Sequence, residues 1–293
     1  LYRNQLYEMG IRRGMKVGLY SANRAEFIYV HLAVISLGAV IIPINNSLVD
    51  REVDYILKDG EASLLVTDTK LSVSIPSVDI HDLDFQARQR KASEAPAFPS
   101  DLTEDEVCAF VYTSGTTGSP KGAMLTHRNL VRNVEQFTQM VIFKPEDKIL
   151  CVLPMFHCYG LTTVIHAGLM HGSTIVILRS KNPSEIINAI VEHSVTMAIM
   201  VPPMYNLLAR RGEPSVMQTV HDFISGGAPI PQPVAQAFYD RFHHPVREGY
   251  GLTEASPVVS VLPSDRLEYL TPARAWWRPL SNSAWMLIIP AWK

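Results

Sequence analysis

Short apolar, often β-branched runs alternate along the chain with amphipathic segments, and this alternation limits the possible fold more than any other feature of the sequence. The runs KVGLY at 16–20 and TMAIMV at 196–201 are typical of buried strands. Between such runs lie segments with helical spacing, such as 50–59, where Val53 and Leu57 fall on one face. Alternation of this kind predicts an α/β fold with mostly parallel sheets flanked by helices. The predicted strands are KVGLY, AVIIPI, SLLVTD, VCAFVYT, KILCVL, STIVIL, TMAIMV, HDFISG and PVREGY.

A polar, proline-containing connector at 76–99 predicts a division into two α/β lobes, 1–100 and 101–262. The remaining segment, 263–293, has a different composition. All four tryptophans lie between 276 and 293, whereas all sixteen glycines lie at or before Gly251. We therefore expect an atypical tail after the second lobe.

Composition narrows the function classes. A formal net charge of -2, with lysine and arginine scattered along 293 residues, argues against nucleic acid as a partner. Three cysteines are too few for a disulfide framework and indicate a reducing, cytoplasmic setting, with peripheral attachment to a membrane left open. The chain begins with Leu1 and without a secretion signal, so we expect it to begin inside a longer gene product.

The segment 27–44 is apolar and about long enough to cross a bilayer. His31, Gly38 and Pro43 interrupt it, and Gly38 separates a helix-like half from a β-branched half. This pattern predicts a buried helix followed by a buried strand, with no transmembrane segment.

The stretch YTSGTTGSPKG at 112–122 follows a predicted strand and carries three glycines and one lysine. Glycines let the backbone approach a ligand closely, consecutive N–H groups form an anion nest, and Lys121 supplies a cation. We expect a phosphate-binding loop at a strand-to-helix turn, with the loop at 114–122 and the helix beginning after Thr126. A flexible hydroxyl-rich connector is the alternative that the residues alone leave open.

The stretch closely resembles the signature loop of the AMP-forming adenylating enzymes, a superfamily that includes the acyl-CoA synthetases. Three further segments occur in the order typical of that family: PMFHCYGL at 154–161, SGGAPI at 225–230 and GYGLTE at 249–254. The resemblance implies part of the large N-terminal domain of the acyl-CoA synthetase-like fold.

The resemblance also assigns nucleotide-binding residues. The residues that hold the β- and γ-phosphates of ATP would be Thr113, Ser114, Gly115, Thr116, Thr117, Gly118 and Lys121. Gly226, Gly227 and Ala228 would line the passage between the adenine and the acyl pocket. Tyr250 would lie against the adenine, with Gly251 beside it among the nucleotide-binding residues.

The resemblance implies four catalytic residues. Besides Lys121, the resemblance places Thr253 near the α-phosphate, Glu254 on Mg²⁺ and His157 at the substrate carboxylate. Cys158 next to His157 suggests a thiol nucleophile, but neighbours in sequence rarely aim at the same point, so we predict no Cys–His pair. We predict no zinc site.

The implied enzyme is an AMP-forming acid–thiol ligase that uses ATP, Mg²⁺ and coenzyme A. The apolar segment 197–203 and the following helix with Tyr205 favour a medium or long-chain fatty acid as the substrate. Aryl acids and amino acids are the alternatives. In the family a C-terminal lid supplies a further lysine. We expect this chain to lack that lid and therefore to have impaired activity. A non-catalytic nucleotide-binding remnant is the competing hypothesis.

Overall fold

The computed structural model describes three stretches of the chain: 1–91, 96–113 and 119–262. The predicted loop residues at 114–118 and the predicted tail at 263–293 lie outside these stretches.

Packing divides the chain into two compact units. The first unit takes in Leu1–Asn129 and Met155–His157. The second takes in Leu130–Pro154 and the chain from Cys158 onward. Each unit contains one six-stranded sheet.

The sheet of the first unit has the strand order β4-β3-β1-β2-β5-β6. Its strands are β1 (Lys16–Tyr20), β2 (Val40–Ile44), β3 (Ala62–Thr67), β4 (Ser77–Asp79), β5 (Val107–Thr113) and β6 (Lys121–Thr126). Neighbouring strands run parallel, except that β5 and β6 are antiparallel. The helices of this unit are α1 (Tyr2–Glu8), α2 (Ala25–Ser36), α3 (Asp50–Asp59) and α4 (Ile80–Arg88).

In helix α3, the apolar residues at helical spacing pack against the sheet. Val53, Ile56 and Leu57 lie at helical spacing and are buried on one face of the helix. They join Ile42 and Leu65 of the sheet in one apolar cluster. Burying each such side chain stabilises the fold by about 1.5–3 kcal/mol.

The sheet of the second unit has the order β12-β11-β10-β9-β7-β8. Its strands are β7 (Lys148–Cys151), β8 (Thr174–Ile177), β9 (Met197–Met200), β10 (Asp222–Ser225), β11 (Val246–Gly251) and β12 (Val258–Val261). All neighbours are parallel except β11 and β12. The helices that follow β6 are α5 (His127–Phe137), α6 (Cys158–Gly160), α7 (Ala167–Met170), α8 (Pro183–His193), α9 (Pro202–Arg211) and α10 (Gln232–Phe242). A π-helical turn, Leu161–His166, joins α6 to α7.

The predicted fold class is confirmed, because both sheets are mostly parallel and flanked by helices. Each of the predicted strands corresponds to an observed strand. The segment 27–44 forms most of α2 followed by β2, as predicted. Within the described residues, no helix combines the length and the apolar character that crossing a membrane requires.

The predicted connector at 76–99 is wrong in part, because it contains an additional strand and helix. Ser77–Asp79 forms β4, which pairs with β3. The carboxylate of Asp79 then accepts a hydrogen bond from the backbone N–H of His81 and caps α4. Leu83 and Ala87 bury one face of that short helix. Polar residues between these anchors made the segment resemble a loop.

The predicted strand-to-helix turn is also wrong. The chain after Thr113 returns as a second strand, β6, so the loop closes a β-hairpin before α5 begins at His127. Within β6, Leu125 is buried and Met124 is exposed, as the alternation of a strand requires. The strand was missed because it begins with Lys121 and Gly122, which are both uncommon in strands.

The two units do not end where the predicted lobes 1–100 and 101–262 end, because β5 and β6 join the first sheet. Whether 1–100 and 101–262 are separate lobes stays a prediction.

Candidate functional site

The flanks of the predicted phosphate loop are held together by the β5–β6 hairpin. Thr113 ends β5, Lys121 begins β6, and the two residues pair across the hairpin. The Lys121 side chain is exposed. The hairpin therefore brings together the two described members of the predicted phosphate-binding set. The other five members, at 114–118, lie outside the described residues.

Tyr112 precedes Thr113 at this end of the hairpin. It pairs in register with Gly122, and its phenol donates a 2.6 Å hydrogen bond to the carboxylate of Asp59 at the end of α3. Burial raises the pKa of the Tyr112 phenol, and the neighbouring carboxylate raises it further. The phenol therefore stays protonated and serves as a donor.

In the second unit, two predicted nucleotide-binding segments leave neighbouring strands at the same edge of the sheet. The loop at 226–228 follows β10, and Tyr250 and Gly251 end β11. Strands β10 and β11 are parallel and adjacent, so their carboxyl ends meet. Ligands in open α/β sheets commonly bind at this edge.

Gly226 lies tightly against an aromatic ring. A Cβ placed on Gly226 would approach the phenol ring and hydroxyl of Tyr159 to 2.7 Å. Gly227 adopts a φ of +78°, which favours glycine. The loop therefore needs both glycines, one for space and one for backbone conformation. Ala228 is exposed.

Tyr250 keeps 63% of its surface exposed, so its ring is open to stacking. Thr253 and Glu254 follow in a single helical turn, Thr253–Ala255. The Thr253 hydroxyl lies 3.2 Å from the Cys158 sulfur. Burial raises the pKa of the Cys158 thiol, which disfavours the thiolate that a nucleophile needs.

His157 belongs to the first unit, in the segment Met155–His157. The backbone N–H of Met155 in this segment donates a 2.9 Å hydrogen bond to the side-chain oxygen of Asn23. His157 reaches the solvent, yet the surrounding protein desolvates its ring and lowers the pKa of the imidazole. The neutral ring is therefore favoured near pH 7.

Sequence reasoning missed Glu248, which precedes the GYGLTE segment. Its carboxylate accepts a 3.0 Å hydrogen bond from the backbone N–H of Ile230 and so ties the 225–230 loop to β11. Burial raises the pKa of Glu248, and the hydrogen bond opposes that rise. No local sequence signal could have paired these two residues, because the contact depends on the adjacency of β10 and β11.

The fatty-acid prediction was based on the apolar segment 197–203 and on Tyr205, and most of these residues belong to the core. All four residues of β9 are buried, and Tyr205 is fully buried. The Tyr205 phenol oxygen lies 3.0 Å from the carbonyl oxygen of Ala198 and 2.8 Å from that of Ile224, and the two carbonyls share its single proton. Its ring packs edge-on against Phe223 and Phe238. Core packing accounts for these residues without a substrate.

The side chain of Glu254 is suited to bind a magnesium ion that also contacts a nucleotide. Its carboxylate is exposed, and Mg²⁺ is commonly bound by one or two carboxylates together with substrate phosphates. In the described part of the chain, no cluster of three or more histidine, cysteine, aspartate or glutamate residues could hold a metal by itself.

A family model described as AMP-binding enzyme matches residues 2–282. The match extends into the segment that the sequence predicts to be an atypical tail.

Two curated relatives are similar to the chain over most of its length. One is a 4-coumarate–CoA ligase 3 of Oryza sativa subsp. japonica, 33% identical over 87% of this chain and 50% of the relative. The other is a feruloyl-CoA synthase of an Amycolatopsis species, 33% identical over 88% of this chain and 53% of the relative. The chain thus spans about half the length of the curated relatives it matches.

Among solved structures, the o-succinylbenzoate coenzyme A synthetase of Bacillus subtilis in complex with AMP is similar to this chain. Its TM-score is 0.80 at 26% identity, over 91% of this chain and 68% of that structure.

Proposed function

Because the chain belongs to the AMP-binding enzyme family, we propose that it is part of an AMP-forming acid–CoA ligase. In the first step, a carboxylate oxygen of the acid attacks the α-phosphorus of ATP. The bond from that phosphorus to the bridging oxygen breaks, and pyrophosphate leaves. In the second step, the thiol of coenzyme A loses its proton and attacks the acyl carbon, and AMP leaves.

The observation that supports this proposal most is the position of two of the nucleotide-binding segments at the carboxyl edge of neighbouring parallel strands, β10 and β11. There, Tyr250 and Gly251 would contact the adenine, and 226–228 would line the passage towards the acid. The exposed ring of Tyr250 supports a stacking role. The close approach of Gly226 to the Tyr159 ring, which leaves no room for a side chain, supports a tightly packed passage.

The hairpin would hold the terminal phosphates. Thr113 and Lys121 stand opposite each other at its end, and Lys121 is exposed. Together with Ser114, Gly115, Thr116, Thr117 and Gly118, they would bind the β- and γ-phosphates. A lysine ammonium and backbone N–H groups stabilise the negative charge that moves onto the pyrophosphate as it leaves.

Thr253, Glu254 and His157 would act on the reacting groups. The Thr253 hydroxyl would donate to an α-phosphate oxygen, and the Cys158 sulfur 3.2 Å away restricts its orientation. Glu254 would hold Mg²⁺, which supplies positive charge to the phosphates. A neutral His157 ring, favoured by its lowered pKa, would orient the carboxylate by hydrogen bonding without adding charge.

Two substrate classes compete. The names of the two curated relatives and of the Bacillus subtilis synthetase favour an aryl acid. The fatty acid predicted from the sequence loses part of its support, because 197–200 and Tyr205 are core residues. We propose an aryl acid of the hydroxycinnamate type as the first candidate and a medium or long-chain fatty acid as the second.

A product assay tests the reaction and the substrate class together. The purified chain is incubated with MgATP and with 4-coumarate, ferulate or decanoate in parallel, and the acyl adenylate and AMP are measured by mass spectrometry. We expect an aryl adenylate from the wild-type chain and none from Lys121→Ala. A decanoyl adenylate alone would select the second candidate. Nucleotide binding without any adenylate would favour the non-catalytic hypothesis.

A further inference from the structure

Tyr112 is anchored to the helix layer of the first unit through Asp59. The phenol oxygen donates to a carboxylate oxygen of Asp59 over 2.6 Å. Gly60, the next residue, leaves room for this approach: a Cβ there would come within 3.2 Å of the phenol oxygen and still closer to Ile42 and to the carbonyl oxygen of Ile56. The end of α3 is therefore shaped to receive the tyrosine hydroxyl.

The same ring is in contact with the returning strand of the hairpin. A Cβ placed on Gly122 would lie 3.1 Å from two carbon atoms of the Tyr112 ring. Tyr112 and Gly122 are paired in register, and the next pair towards the end of the hairpin is Thr113 with Lys121. The ring thus contacts the residue pair next to the one that we assign to the terminal phosphates.

This end of the hairpin needs such an anchor. Strand β6 is at the edge of the sheet and pairs with β5 alone among the described strands. An edge strand is held on one side only, so its end frays more readily than that of a central strand.

The position of Asp59 also indicates a role outside its own helix. A carboxylate in the last turn of a helix is disfavoured by the helix dipole. Asp59 is the last residue of α3, and its side chain is exposed apart from the contact with Tyr112 that the structure describes.

We propose that Tyr112 and Asp59 form a positioning pair that fixes the Thr113–Lys121 end of the hairpin for the terminal phosphates of ATP. The inference rests on the proposed function, because it assumes that Thr113 and Lys121 contact those phosphates. It adds two residues that do not touch the nucleotide themselves. Burial raises the pKa of Tyr112, which keeps the phenol in its donor form over the physiological pH range.

A comparison of ATP with AMP tests the pair, because AMP lacks the β- and γ-phosphates. The affinities of the purified chain for both nucleotides are measured by displacement of a fluorescent ATP analogue. The variants are Tyr112→Phe, which keeps the ring and removes the donor, and Asp59→Ala, which removes the acceptor carboxylate. Tyr55→Phe is the matched control, since Tyr55 is an exposed tyrosine on the same helix as Asp59.

We expect Tyr112→Phe and Asp59→Ala each to weaken ATP binding about fivefold, the size of one lost hydrogen bond. Both should leave the affinity for AMP within about twofold of the wild type, and the double variant should lose no more than either single variant, because both changes break the same contact. Tyr55→Phe should behave as the wild type.

Equal losses for ATP and AMP would overturn the inference, because they would indicate a general effect on folding. Unchanged ATP affinity in both variants would overturn it as well, while leaving the proposed function intact. A wild-type chain that binds neither nucleotide would contradict the proposed function itself, and the inference would fall with it.

Discussion

Gly249 and Gly251 stand two residues apart in β11, yet their surroundings differ. A Cβ on Gly249 would meet its nearest neighbour, the carbonyl oxygen of Ser260, at an ordinary 3.6 Å. A Cβ on Gly251 would collide with the carbonyl oxygen of Pro257, which is backbone and has little freedom to move. The strand therefore tolerates a side chain at one glycine and excludes it at the other.

We expect Gly251→Ala to lower the free energy of unfolding by about 3 kcal/mol, because the backbone must shift to relieve the collision. Gly249→Ala is the matched control and should change it by less than about 1 kcal/mol, since the added methyl group finds room. Urea denaturation followed by circular dichroism measures both variants. Equal stability of the two variants would contradict the geometry described for β11.

At the residue scale, the resemblance names candidate site residues, but it does not predict which other residues hold them in place. The motifs named Thr113, Lys121 and Thr253 because they are continuous in sequence. The bond from Tyr112 to Asp59 joins residues 53 positions apart, and the contact of Cys158 with Thr253 joins residues 95 apart. Such pairs depend on which strands become neighbours, and local sequence does not encode that.

At the scale of elements, the helix after β7 contains a π-helical turn, Leu161–His166. This turn begins two residues after Tyr159, whose ring packs against Gly226. The Thr163 hydroxyl donates a 2.6 Å hydrogen bond to the carbonyl oxygen of Tyr159 and so satisfies a backbone group at the irregularity. Turns of this type are frequent next to functional sites.

His166 at the end of this turn should make the stability of the chain depend on pH. Desolvation lowers the pKa of its imidazole to about 4, below the ordinary 6.5. Between these values the unfolded chain binds the proton more strongly than the folded chain, so stability decreases as the pH falls from 6.5 to 4. The loss from this residue is at most about 3 kcal/mol.

Thermal unfolding of the wild type and of His166→Gln, measured from pH 7.5 to pH 4, checks this expectation. The variant should lose less stability over this range than the wild type, whatever its stability at pH 7.5. His193→Gln is the control, because His193 is exposed at the end of α8, and it should keep the pH dependence of the wild type. Identical slopes for the wild type and His166→Gln would show that His166 is not desolvated.

The element that the sequence predicted least well is β6. Strands with several consecutive apolar residues, such as β2 and β9, were predicted because both of their faces are buried. β6 lies at the edge of its sheet and has a single fully buried position, Leu125. A short edge strand has too weak a pattern to be recognised, although β6 is what makes the predicted phosphate loop part of a hairpin.

At the scale of the whole molecule, each unit has some of its predicted functional residues at strand ends. In the first unit, Thr113 and Lys121 lie at the end of the β5–β6 hairpin. In the second, Tyr250, Gly251 and the residues at 226–228 follow the carboxyl ends of parallel strands. The regular cores of both units were predictable from apolar periodicity. The hairpin, β4 and β12 were not, because short strands at sheet edges leave little trace in the sequence.

The proposed function requires the chain to bind MgATP through the residues that its motifs name. Isothermal titration of the purified chain with MgATP tests it most directly, with Lys121→Ala as the variant and the exposed Lys70→Ala as the matched control. We expect saturable binding by the wild type and by Lys70→Ala. Binding by Lys121→Ala should be about tenfold weaker or more, because a charge-assisted contact with phosphate is lost. Absence of binding by the wild type, or equal affinity of Lys121→Ala, would contradict the account.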